Sequence, residues 1–127
     1  MRYIGIDYGT KKIGVSLSEE NGVMAFPHSV LKNDDAFFPE IVSLVNLHHA
    51  TVVIGDSRAN DGSENPVAQE AKMFAARLME EGIAVRFEPE FYTSREAERL
   101  QGRSDMQDAS AATLILNSYL QRNNTAS

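Results

Sequence analysis

The stretch "IGIDYGTKKIGVSLSEENG", residues 4–22, ends one apolar run on a bare carboxylate, Asp7, and opens a second apolar run at Ile13. Residues 3–7 and 13–18 have the pattern of two short strands, and the intervening "YGTKK" is short enough to join them as an antiparallel hairpin. The "EENG" turn predicts a third strand over residues 23–30, so a three-strand meander precedes any helix. Nothing within three residues on the N-terminal side of Asp7 neutralises it, and burying an unpaired carboxylate costs several kcal/mol. A metal ion, a water-filled cleft or a structural partner each answers that cost, and the rest of the chain has to choose.

From Asp34 onward, Phe38, Ile41, Val42 and Val45 recur at the spacing of one helix face. "TVVIG" at 51–55 reads as a strand covered on both sides, and the polar segment 56–65 reads as a loop. Asn65 as N-cap, Pro66 at the first helical position and Gly82 past the end bracket a second helix, with Val67, Ala71, Phe74, Ala75 and Leu78 as its apolar stripe. Ile83, Val85 and Phe87 alternate as a strand. Thr93 with Glu96, and Ser104 with Gln107, have capping-box spacing and mark two further helix starts. The last helix carries Ala112, Ile115, Leu116 and Tyr119 on one stripe, and the polar tail 122–127 is expected to fray.

The order β-β-β-α-β-α-β-α-α predicts an α/β fold: a five-stranded mixed sheet, order 3-2-1-4-5, flanked by helices. Strand order reverses at the carboxyl ends of strands one and four, where ligands bind in such sheets. Asp7 sits there.

At 127 residues the chain is expected to form one domain over 1–127. With no cysteine, disulfides, thiolate metal sites and cysteine nucleophiles are excluded. The N-terminus does not read as a signal peptide and no apolar run approaches the roughly 20 residues of a membrane span, so a cytoplasmic location is expected. A formal charge of −6 argues against nucleic-acid binding by the whole surface and leaves it to a local basic face or to bridging cations.

Asp105 and Asp108 lie three residues apart in the first turns of the last helix. The helix dipole accounts for Asp105. Asp108 is followed by Ala109, Ser110, Ala111 and Ala112, small residues that let this helix end pack closely on a sheet and approach Asp7. Two adjacent carboxylates repel, and a hard divalent cation such as Mg²⁺ holds both ionised. A third acid is expected from another strand end, with Glu90 the candidate and Asp56 its rival. Lys11, Lys12 and Arg58, together with Arg95, Arg99 and Arg103 spaced by four, are the cations available to a substrate. An ordinary solvated helix face accounts equally well for the arginines. His48 and His49 fall at a helix end, where the dipole favours them.

The opening "IGIDYGTKKIGVSLSE", the central "VVIGDSRANDGS", "PEFYTSREAERL" and the closing "SDMQDASAATLILNSYL" resemble, in that order, the four motifs of the YqgF/RuvX family of small RNase H-like proteins, over nearly the whole chain. The resemblance implies an RNase H-like fold and a metal-dependent endonuclease of structured nucleic acid, foremost in pre-16S rRNA processing. A Holliday-junction resolvase on DNA, or a catalytically weakened domain binding nucleic acid or protein, are the alternatives. Motif for motif, Asp7, Glu90 and Asp108 fall on the family's catalytic and metal-binding acids, for Mg²⁺ or Mn²⁺. Lys11, Arg95, Arg99 and Arg103 would then hold the substrate backbone. The implied partner is an RNA precursor or branched DNA, without a membrane, and the protein would act as a monomer or homodimer. Two departures stand out. The family's Asp-Glu-Arg-Leu-Thr-Thr is Pro-Glu-Phe-Tyr-Thr-Ser at 89–94, losing an acid at Pro89 and a cation at Phe91, and its Gly-Leu-Pro is Gly55, Asp56 and Ser57. "DYGTKK" also resembles the phosphate hairpin of the actin and sugar-kinase ATPases, but those enclose nucleotide between two such domains and this chain has room for one.

Overall fold

Strand alternation sorts the side chains onto two faces, and each face is covered by helices of different character. The computed structural model describes residues 2–56, 66–89 and 105–125. In chain order these form β1 (Tyr3–Tyr8), β2 (Lys12–Ser18), β3 (Ala25–Lys32), α1 (Phe37–His48), β4 (Thr51–Asp56), α2 (Pro66–Glu80), β5 (Val85–Pro89) and α3 (Asp105–Thr125). The helix expected to start at Thr93 lies outside the described residues. The strands form one sheet in the order β3-β2-β1-β4-β5. β1, β2 and β3 pair antiparallel, whereas β4 pairs parallel with β1 and with β5. This is the predicted fold, with the meander and the two crossovers each in the expected place.

On one face Ile4, Ile6, Ile13, Val15, Val52 and Ile54 pack with Phe37, Ile41 and Val45 of α1 and with Ala71, Phe74, Ala75 and Leu78 of α2. On the other, Val53 and Ala25 meet Ile115, Leu116 and Leu120 of α3. Among the described residues no helix is long and apolar enough to cross a membrane. At α2 the signals at Pro66 and Gly82 are kept, whereas the caps expected at Asn65 and Ser104 lie outside the described residues. α2 begins at Pro66, and Gly82 closes it in the left-handed region (φ +82°). There the Gly82 N–H donates to Met79 and the Ile83 N–H donates to Leu78, the double bond of a Schellman cap. Glu19 closes the β2–β3 turn by accepting the Val23 and Met24 N–H groups at 2.6 and 3.3 Å. Those bonds, Val23 first, hold its carboxyl below the usual range.

Three differences from expectation have physical causes. β3 runs two residues further toward α1 than the turn signal suggested, because its ladder with β2 extends to Lys12 opposite Lys32. On β5 the apolar alternation breaks: Phe87 is 40% exposed, while Glu88 is 2% exposed. β5 is an edge strand, and the face bearing Glu88 is the one under α3, where Ser118 Oγ donates to Glu88 Oε2 at 2.8 Å and Arg122 donates to Oε1 at 2.6 Å. The same ion pair anchors the final helix at Arg122, and helix runs on to Thr125 where a frayed tail was expected.

Because Arg122 is largely exposed, its worth to Glu88 is screened, yet its loss leaves a buried carboxylate with one described donor. Arg122→Ala should lower stability by about 1–2 kcal/mol in urea denaturation, whereas Glu88→Gln, which buries no charge, should cost less.

Candidate functional site

The site is built from the approach of α3 to the central strand. On β1, Ile4, Ile6 and Tyr8 belong to the face under α1 and α2, so Tyr3, Gly5 and Asp7 belong to the face under α3. The Tyr3 ring meets Tyr119 at 5.5 Å between centroids. Two residues on, Gly5 lies under Ala112 and Leu116. A Cβ there would overlap Ser16 Oγ and come within 2.8 Å of Leu116 Cβ and 2.9 Å of the Ala112 carbonyl oxygen. That carbonyl accepts a buried hydrogen bond from Ser16 Oγ at 2.9 Å. Along β1 the contacts therefore step backward through α3, from 119 to 116 and 112. The next step, roughly 7 Å along the strand, reaches Asp7, and one helical turn back from Ala112, roughly 6 Å, is position 108. Asp7 itself is half-buried, at the carboxyl end of β1 and opposite Gly14 of β2.

Gly9 to Lys11 form the turn after β1, and a Cβ on Gly9 would lie 2.5 Å from the Lys12 carbonyl oxygen. Asn33, at the end of β3, holds this turn twice: its side-chain amide donates to the Gly9 carbonyl at 2.8 Å and its N–H donates to the Lys11 carbonyl at 2.9 Å. Lys11 is exposed at the tip. Asn33 was not legible as a site residue, because its partners are 24 and 22 residues away and only the β3 register brings it to them.

Of the predicted site residues, Asp7, Lys11 and Lys12 are described. Asp105 and Asp108 lie in the first turn of α3, with side chains outside the described residues, and Glu90, Arg58, Arg95, Arg99 and Arg103 lie outside them altogether. Asp56, the rival third acid, ends β4 beside β1, with its side chain outside the described residues. His48 and His49 are at the other end of the sheet. The Arg2 guanidinium donates to His48 Nδ1, and His49 takes a left-handed conformation (φ 52°) to end α1. Among the described residues no three His, Cys, Asp or Glu side chains are grouped as a metal centre.

A family model described as "RuvX: Holliday junction resolvase" matches residues 1–122. The chain belongs to the RuvX family. Two similar RuvX relatives, each named "Putative pre-16S rRNA nuclease", come from Carboxydothermus hydrogenoformans and Nitratidesulfovibrio vulgaris. The first is 40% identical, over 94% of this chain and 96% of the relative. The second is 36% identical, over 94% and 93%. Among solved structures, Thermus thermophilus RuvC in complex with a Holliday junction substrate superposes with a TM-score of 0.64 at 12% identity, over 98% of this chain and 96% of that one. At that identity the likeness is one of fold, and the fold is RNase H-like.

In this RuvX chain Gly5 sets how close α3 comes to Asp7. Gly5→Ala should therefore lower stability by about 3 kcal/mol in chemical denaturation, the overpacking having backbone on one side and a buried serine on the other.

Proposed function

We propose that this RuvX protein is a metal-dependent endonuclease that hydrolyses phosphodiester bonds in structured RNA, and that its substrate is the precursor of 16S rRNA. The observation that carries this is the position of Asp7: a half-buried carboxylate at the carboxyl end of the central strand, on the face where the first turns of α3 approach. Relatives named for pre-16S rRNA, matched over more than nine-tenths of both chains, support the RNA substrate. The family description and the fold shared with RuvC favour a second reading, cleavage of branched DNA junctions.

Asp7, Glu90 and Asp108 form the proposed ligand set for Mg²⁺ or Mn²⁺. The donor chemistry fits: Asp7 offers hard carboxylate oxygen, and a chain without cysteine has no soft thiolate to select other metals. A hard divalent cation held there supplies Lewis acidity toward the phosphodiester. The remaining work falls to the protein. Asp7, fixed by the β1–β2 and β1–β4 ladders, sets where the scissile phosphate sits relative to α3. Lys11, on a turn clamped by Asn33, contacts the backbone rather than bases, so it positions the strand without selecting sequence. Arg95, Arg99 and Arg103 extend that contact. Pro89 and Phe91, where the family carries an acid and an arginine, lower the charge available to hold the phosphate. The unit is one domain over 1–127, cytoplasmic, acting as a monomer on an RNA end or as a symmetric dimer on a junction.

The test is a cleavage assay with labelled precursor RNA and a four-way DNA junction in parallel, with Mg²⁺, Mn²⁺ or chelator. RNA cleavage that needs the divalent ion is expected, and Asp7→Asn should reduce it roughly 100-fold or more while leaving the thermal transition in place. Undiminished cleavage by Asp7→Asn refutes the site. Cleavage of the junction alone supports the second reading, and no cleavage of either, with specific binding retained, supports a weakened binding domain.

A further inference from the structure

β1 ends on Tyr8, opposite Ile13 in the last pair of the β1–β2 ladder, and its ring lies on the face away from Asp7. There it borders an aromatic cluster. Tyr8 is 6.0 Å from Phe37 and 5.7 Å from Phe74 between ring centroids, Phe37 and Phe74 are 5.0 Å apart, and Phe38 meets Phe74 edge-on at 6.0 Å. Phe37 and Phe74 are buried, whereas Tyr8 is half-buried, so the cluster keeps one ring in contact with solvent. Beside that ring is a pocket lined by Tyr8, Phe37, Glu70, Met73, Phe74 and Arg77. The four residues from α2 fall at i, i+3, i+4 and i+7, a single stripe of the helix. Phe74 is in the core, yet Met73 is 68% exposed and Glu70 and Arg77 are exposed too, so the outer part of this stripe forms the rim of a cavity.

We infer that this pocket takes one unpaired nucleobase from the strand whose phosphate is held at Asp7, stacking it on Tyr8 and reading its exocyclic amino group with Glu70. This rests on the nuclease reading and adds recognition of a base. Asp7 and Tyr8 are consecutive, with Cα atoms about 3.8 Å apart and side chains on opposite faces. A strand rounding the end of β1 therefore presents a phosphate to one and a base to the other. The volume, about 180 Å³, suits a single ring system, because drug-sized ligands occupy roughly 300–1,000 Å³. Every base has a π-face that stacks on an aromatic side chain, and the flexible thioether of Met73 adapts to whichever ring enters. A base inside a duplex is stacked and paired already, so the pocket selects unpaired segments. The Arg77 guanidinium is placed over the Phe38 ring, 3.9 Å from its centroid, which leaves Glu70 as the polar group of the rim that meets the base. Among the described residues Glu70 is in no ion pair. An ionised carboxylate only accepts hydrogen bonds, so it favours the 4-amino group of cytosine over uracil, which carries an oxygen in that place.

The experiment measures binding of fluorescent oligo(rC) and oligo(rU) of equal length to the full chain carrying Asp7→Asn, across a salt series. This reference chain should bind oligo(rC) about fivefold more tightly than oligo(rU). Adding Glu70→Gln, a surface change that leaves the aromatic cluster intact, should bring the two affinities level. Adding Tyr8→Leu should weaken oligo(rC) binding about tenfold with the slope of log K against log[salt] unchanged, because stacking releases no counterions. Tyr8→Phe, which keeps the ring, should bind as the reference does. A thermal transition recorded for each variant separates lost binding from lost folding, and if Tyr8→Leu does not fold the Glu70→Gln comparison decides alone. Equal affinity of the reference chain for the two oligomers, a preference that survives Glu70→Gln, or undiminished binding by folded Tyr8→Leu overturns the pocket. So does a reference chain that binds neither oligomer. The nuclease reading stands or falls separately, on divalent-ion cleavage of the precursor and its loss in Asp7→Asn.

Discussion

The contact between α3 and the central strand at Gly5 governs the rest of the structure. With no side chain at that point, Ala112 and Leu116 settle directly on the β1 backbone, and Ser16 donates its hydroxyl proton to the Ala112 carbonyl. Height and rotation of the helix follow from these few atoms. So does its reach, because the first turns of α3 then extend past Gly5 toward the strand end that carries Asp7. Ala111 and Ala112, both buried, serve the same purpose, allowing the helix to lie on the sheet without the spacing that larger side chains impose.

The two faces of the sheet divide their labour. Under α1 and α2 the packing is aliphatic and aromatic, with Tyr8, Phe37 and Phe74 clustered at ring distances of 5.0 to 6.0 Å. Under α3 the same sheet carries Ser16 bonded to a helix carbonyl, the Ala25 N–H bonded to Asn117, and Glu88 bonded to Ser118 and Arg122. Apolar contact tolerates sliding, whereas each of these bonds is satisfied in one register only and leaves a buried polar group if the helix shifts. Among the described residues, the face that carries Asp7 is thus the one fixed by these directional contacts.

Charge follows the same geography. The chain is acidic overall, yet three of its four lysines, Lys11, Lys12 and Lys32, lie where β1, β2 and β3 meet at the Asp7 end.

Much of this was legible in the sequence. Period-two alternation, the short "YGTKK" connection, Pro66 and Gly82 at the ends of α2 and the β-branched run at 51–55 are local signals, and they suffice for the sheet order and for Asp7 at the reversal point. The motif resemblance supplied the family. Other features were decided only by the tertiary structure: Glu88 rather than Phe87 turned inward, Asn33 clamping a turn far from it in the chain, and Lys32 brought opposite Lys12. The physical reason is common to all three. Composition and periodicity say which residues prefer burial, but which face an edge residue takes and whom it meets across a ladder depend on register, and a single bulge or one long-range ion pair resets that without leaving a local mark.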